Sequence, residues 1–194
     1  LHLFIPAMPA VKEAFGVSTG MAQLTMSLAM LSMAFFTVAY GGLSDRFGRK
    51  RVLMGGLVLF TCGAASCMAA TNMSMLLAGR ILQGAGAGCG VVLARAIARD
   101  VYGQDRVAQV IAYLTAAYVL GPMVAPPIGG QLTAVFGWRA LFVFASAVGL
   151  LVIVAVAFAV PETRARSAAA PRGVFAGYKS LLRRPRFVGF MLQP

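Results

Sequence analysis

The side chains best able to do chemistry lie inside an apolar stretch. Arg80, Gln83 and Gly84 recur at i, i+3 and i+4, the spacing that puts them on one face of a helix. A guanidinium keeps its charge and holds five donors in a rigid fork. Within a bilayer such a group must face protein or a watery cavity, where it binds anionic groups or communicates with a proton-carrying carboxylate. A second reading stands beside this one: Arg80 lies about 10 Å of helix rise from the start of its span and can snorkel to the outer interface. No Ser-His-Asp set, metal-ligand cluster, phosphate-cradling loop or carboxylate pair accompanies it. Glu13, Asp45, Asp100, Asp105 and Glu162, the five acids, all sit at or near expected membrane boundaries. An enzyme would need groups that this chain does not hold, and neither a metal nor a cofactor is implied.

The elements that position Arg80 follow from hydropathy. The 194 residues are 60% hydrophobic and 11% charged, a composition too apolar for an ordinary soluble domain. A span of roughly 20 apolar residues crosses a hydrocarbon core of about 30 Å as a helix. Residues 1–10 read as the end of a first span, truncated at its start, with Lys12-Glu13 marking exit into water. Further spans are expected near residues 21–42, 52–70, 73–98, 107–132 and 140–160. Residues 1–160 thus form a six-helix bundle, 161–186 a basic linker rich in Ala, Ser, Pro and Gly, and 187–194 the start of a seventh span. The chain reads as a piece of a longer membrane protein.

Charge orients the bundle. Seventeen Lys and Arg against five Asp and Glu give a net charge of +12, which in a soluble domain would suggest nucleic-acid binding. Here the basic residues sit in short loops between apolar spans, so a positive-inside bias explains them and nucleic acid is not a partner. Arg46, Arg49, Lys50 and Arg51 place the hairpin after the second span in the cytoplasm, as Arg95, Arg99 and Arg106 do for the next one. Lys12, Arg80 and Arg139 alone fall outside this pattern. Trp138 suits the outer headgroup layer. Cys62, Cys67 and Cys89 read as small core residues.

Packing signals cluster in two spans. Gly84 and Gly88 make a small-xxx-small pair that lets two helix backbones approach closely. Gly121, Pro122, Pro126, Gly129 and Gly130 mark the fifth span as either a fixed kink or a bend that moves within a close-packed pair. Phe47-Gly48-Arg49 is echoed by Phe136-Gly137-Trp138-Arg139 on the other side of the membrane, each preceded by a glycine pair. Two inverted three-helix repeats would produce that relation, and so would a coincidence of glycines.

Gly41-x-Leu43-x-Asp45-Arg46-x-Gly48-Arg49-Lys50 resembles the signature of the second loop of the major facilitator superfamily. Leu76-x-x-x-Arg80-x-x-Gln83-Gly84-x-Gly86 resembles its fourth-helix signature, and the Gly/Pro run resembles its antiporter signature, with Ala125 where a glycine is usual. Ile5-Pro6-Ala7-Met8-Pro9, Ala94-Arg95-Ala96-Ile97-Ala98-Arg99-Asp100 and Pro122-x-x-x-Pro126-x-x-Gly129-Gly130 look most like the Bcr/CflA-type drug:proton antiporters. The resemblance covers nearly the whole chain.

It implies an all-α membrane protein, here the six-helix N-terminal half of a twelve-helix fold that works with a C-terminal six-helix half. It implies a conformational latch built from Gly41, Asp45, Arg46, Gly48 and Arg49, with Asp100 as the acidic partner on the fourth helix. His2 stands where related first helices often carry an Asp. Its imidazole either takes part in proton transfer with Arg80 and Gln83 or lines the cavity mouth, the coupling carboxylate then lying elsewhere. The expected function is proton-coupled efflux of small amphipathic drug-like substrates across the bacterial inner membrane. A metabolite exporter or symporter on the same scaffold is the alternative within transport, and a non-transporting sensor or assembly subunit the alternative outside it.

Overall fold

The computed structural model describes residues 2–161, apart from the side chains of residues 103–105. All but Pro161 of the expected linker, and the expected seventh span, lie outside the described residues. Among the described residues the protein is all-α. A 3-10 turn, His2–Ala7, leads into α1 (Met8–Phe15), followed by α2 (Thr19–Phe47), α3 (Arg49–Met68), α4 (Met73–Phe136) and α5 (Arg139–Ala159). Local chemistry sets these ends. Gly16 closes α1 with φ 61°. Ser18 and Asn72 cap α2 and α4 by accepting from the amides of Met21 and Met75, which satisfies donors that a helix start leaves open.

Five helical segments are long and apolar enough to cross a membrane, and α4 contains two of them, Met73–Tyr102 and Arg106–Phe136. The sequence places a connection between these segments, and there the chain reverses while its backbone keeps helical turns. A straight helix of that length would span about 96 Å, three times a hydrocarbon core. The chain instead folds back. Arg80 lies against the ring of Phe4 and Gly129 against the carbonyl of Leu3, although straight helix would part them by about 73 Å. The first helical limb of α4 runs one way and the second returns beside the 3-10 turn.

The first limb of α4 is the centre of the bundle, with α2 and α3 packed along it and α5 packed on α3. Missing side chains make this possible. A Cβ on Gly84 would collide with the backbone of Ala29 in α2, and one on Gly86 with the backbone of Phe60 in α3. Gly88 likewise faces Met33 and Thr37 of α2, so the Gly84/Gly88 pair does bring two helix backbones together. Polar side chains then reach across the short gaps: Ser32 Oγ donates to the carbonyl of Ile81 at 2.8 Å and Tyr40 Oη to that of Ala85 at 3.0 Å.

Two apolar clusters close the bundle at its ends. One joins Phe4, Val11, Cys67, Leu76, Trp138 and Phe142; the other joins Tyr40, Val52, Leu53, Cys89 and Leu93. Trp138 is therefore turned inward, its ring against Phe15 and Phe142, rather than outward to headgroups. Cys67 and Cys89 are buried as expected but Cys62 is exposed, because it lies on the side of α3 away from α4. In the second limb of α4, Pro122, Pro126 and Pro127 are accommodated within the helix. Gly129 and Gly130 seat Pro6 of the 3-10 turn, whereas Gly121 has open space around it.

The inverted repeats are visible in the hairpins. Gly48 adopts φ 101°, ψ 147° and Gly137 adopts φ 79°, ψ 169°. Each amide donates to the carbonyl four residues back, Gly48 to Ser44 at 3.1 Å and Gly137 to Thr133 at 3.0 Å. This region of backbone space is open essentially to glycine alone. Gly48→Ala and Gly137→Ala should each lower stability by about 1–3 kcal/mol, read as a fall in the thermal unfolding midpoint in detergent.

Candidate substrate and coupling site

Arg80 projects from the first limb of α4 into protein. It is 1% exposed and Gln83 3% exposed, so the snorkelling alternative does not fit. Its Nε donates to the backbone carbonyl of Thr25 at 3.3 Å and one terminal nitrogen to Gln83 Oε1 at 2.6 Å. The other terminal nitrogen lies 3.5 Å from Met26 Sδ, and the ring of Phe4 covers the guanidinium carbon at 4.7 Å. The i, i+3 spacing thus brings Arg80 and Gln83 together as expected. Gly84, one turn on from Arg80, lets α2 come close enough for the Thr25 carbonyl to be reached.

The site is enclosed rather than open, and every recorded partner is neutral. A cation buried with neutral partners alone is held by hydrogen bonds and ring electrostatics without a countercharge. Such an arrangement can accept an anionic or electron-rich group if its cover moves. His2 is half-buried and, among the described residues, makes no hydrogen bond or ion pair. The first segment reaches Arg80 through Phe4 instead. Thr25, Met26 and Phe4 were not singled out from the sequence, since a backbone acceptor, a thioether and a ring have no spacing signature; they become visible once α2 and the 3-10 turn are docked.

The second constellation is at the Gly48 hairpin. Arg49 is the hub: one terminal nitrogen meets Asp45 Oδ1 at 2.7 Å and Ser44 Oγ at 2.6 Å, and its Nε meets Asp100 Oδ2 at 3.2 Å. Three elements are tied here, the end of α2, the start of α3 and the end of α4's first limb. Ser44 is fully buried and its hydroxyl donates a hydrogen bond to the carbonyl of Gly41 at 2.9 Å, a link that the sequence did not signal. Gly41 thus belongs to the same turn. Arg46 is exposed, with its guanidinium 5.2 Å from the centre of the Phe47 ring.

A bundle of apolar spanning segments packed backbone to backbone around a buried arginine defines a multi-pass membrane protein. Residues 2–193 match the Major Facilitator Superfamily. The chain belongs to that family, whose members are transporters rather than enzymes. It is 30% identical over 190 residues to multidrug resistance protein D of Escherichia coli K12, covering 98% of this chain and 48% of the relative. It is 32% identical over 184 residues to multidrug resistance protein MdtL of E. coli O139:H28, covering 95% of this chain and 47% of the relative. The chain spans about half the length of these relatives.

Two measurements check this geometry. Gln83→Leu removes the buried acceptor of Arg80 and should cost about 1–3 kcal/mol of stability, seen as an earlier unfolding transition than that of Gln83→Glu, which keeps an acceptor. At the hairpin, the Asp45 side chain is 67% exposed and that of Asp100 32%, so solvent screens the Asp45 pair more. Asp100→Asn should therefore lower the unfolding midpoint more than Asp45→Asn does.

Proposed function

We propose that the chain is the N-terminal half of a proton-coupled exporter of small amphipathic drug-like compounds, working by alternating access across the bacterial inner membrane with a C-terminal six-helix half. The single observation that carries the reading is the Arg80 site, a buried guanidinium held by neutral partners in the most tightly packed segment of the bundle. Burying a cation there without a countercharge is costly, and a binding or coupling role offsets a cost that packing alone does not require. The names of the two relatives support a drug-like substrate, and their length supports a second half.

In this reading Arg80 and Gln83 supply polar contacts in an otherwise apolar path, with Phe4 and Met26 as the covers that yield to substrate. Methionine and ring contacts suit loose recognition, because both adapt to different shapes. His2, on the same 3-10 turn as Phe4, either takes part in proton transfer or lines the mouth of the path. The Gly48 hairpin faces the cytoplasm, as does the linker beyond α5. Arg49 there latches Asp45 to Asp100 in one state and releases when the state changes. The Gly121–Gly130 stretch lets the second limb of α4 bend against the 3-10 turn.

The test is drug-driven proton release by the complete gene product in proteoliposomes. Arg80→Lys keeps the charge but loses the fork that serves Thr25 and Gln83 together. It should lower turnover at least about tenfold, equivalent to about 1.4 kcal/mol, while expression and monodispersity stay near those of the parent. Export retained in that variant would remove Arg80 from the path. Ligand binding without any flux driven by a pH gradient would favour a sensor, and flux of polar metabolites alone would favour a metabolite carrier.

A further inference from the structure

Two basic residues outside both constellations make matching contacts at opposite ends of the bundle. Lys50 Nζ donates to the carbonyl of Ala157 at 2.8 Å. Arg139 donates from a terminal nitrogen to the carbonyl of Ala70 at 2.9 Å. Both stand two residues after a positive-φ glycine, Lys50 after Gly48 and Arg139 after Gly137, so they are equivalent positions of the two repeats. Each contacts the end of the other repeat's last helix: Ala157 is in the final turn of α5, and Ala70 lies two residues beyond α3.

Helix electrostatics give these contacts their sense. α3 opens with Arg49-Lys50-Arg51 and α5 opens with Arg139, and neither has an acid in its first turn. A cation at the start of a helix opposes the positive end of that helix's own dipole. The carbonyls that end a helix are unpaired within it and carry the negative end. α3 and α5 pack together and run in opposite directions, so each helix start lies beside the other's end, and the cation that strains its own helix satisfies the neighbour. Arg139 is also one of the few basic residues at the end of the bundle opposite the Arg49 hairpin. Charge bias does not account for it there, and an anchoring contact does. Its guanidinium is held in place 4.3 Å from the centre of the inward-turned Trp138 ring.

We infer that Lys50 and Arg139 are reciprocal anchors that fasten α3 and α5 to each other at both ends. Lys50 is thereby a positioning residue beside the Asp45–Arg49–Asp100 network. Motion of the hairpin is confined to the α2 and α4 sides, and the end of α5 stays fixed to the start of α3.

Hydrogen exchange in the complete gene product, purified in detergent, tests this. Lys50→Met should speed exchange in the last turn of α5 about fivefold, the factor for one net hydrogen bond, and leave residues 66–70 as in the parent. Arg139→Met should do the reverse. Lys50→Arg and Arg139→Lys should restore the parent pattern. Should a methionine variant fail to fold, Lys50→Gln or Arg139→Gln, which keeps a donor without the charge, should give a smaller rise in the same segment. Unchanged exchange at the far helix end in these variants, or a rise spread evenly over the bundle, would overturn the assignment.

Discussion

Close backbone contact along the first limb of α4 is the constraint on which the rest depends. In hydrocarbon there is no hydrophobic drive to bring helices together, so association rests on packing and on interhelical hydrogen bonds. Glycine on two sides of one helix supplies the first: α2 lies against Gly84 and Gly88, and α3 against Gly86. Had these positions carried side chains, the helices would stand apart and the side-chain bonds from Ser32 and Tyr40 to α4 carbonyls would not reach. The same closeness lets Arg80 bond to a carbonyl on α2. Packing, polar bonding and the buried charge are one arrangement.

The two charged constellations differ in kind. Around Arg80 the partners are neutral, enclosed and drawn from three elements, so the guanidinium is held by geometry. Around Arg49 the partners are charged and partly in water, so the contacts are individually weak and easily exchanged. One site is rigid and interior, the other a yielding network at the surface. Ser44 bridges the two regimes at the hairpin, being buried itself while it accepts from a half-exposed arginine.

Five of the expected spans were legible from hydropathy alone, since 20-residue apolar runs leave no other solution. The Arg80–Gln83 pair was legible from helical spacing, and the Asp45–Arg49–Asp100 network from likeness to a known signature. Other features were not. Trp138 suits the headgroup layer by its place near a span end, but its packing against Phe15 and Phe142 joins residues distant in the chain. Phe4 and Thr25 act through a ring face and a backbone oxygen, and neither leaves a mark in composition or period.

Gly48 and Gly137 hold nearly the same backbone shape at opposite ends of the bundle. The backbone of the two hairpins alone therefore gives no top and no bottom. What separates the two ends is electrical: one hairpin is followed directly by Arg49-Lys50-Arg51, the other by Trp138 and a single Arg139. A chain built from two copies of one reversible unit must write its direction of insertion in side-chain charge, and here the cations that write it are the same ones that fasten helix to helix.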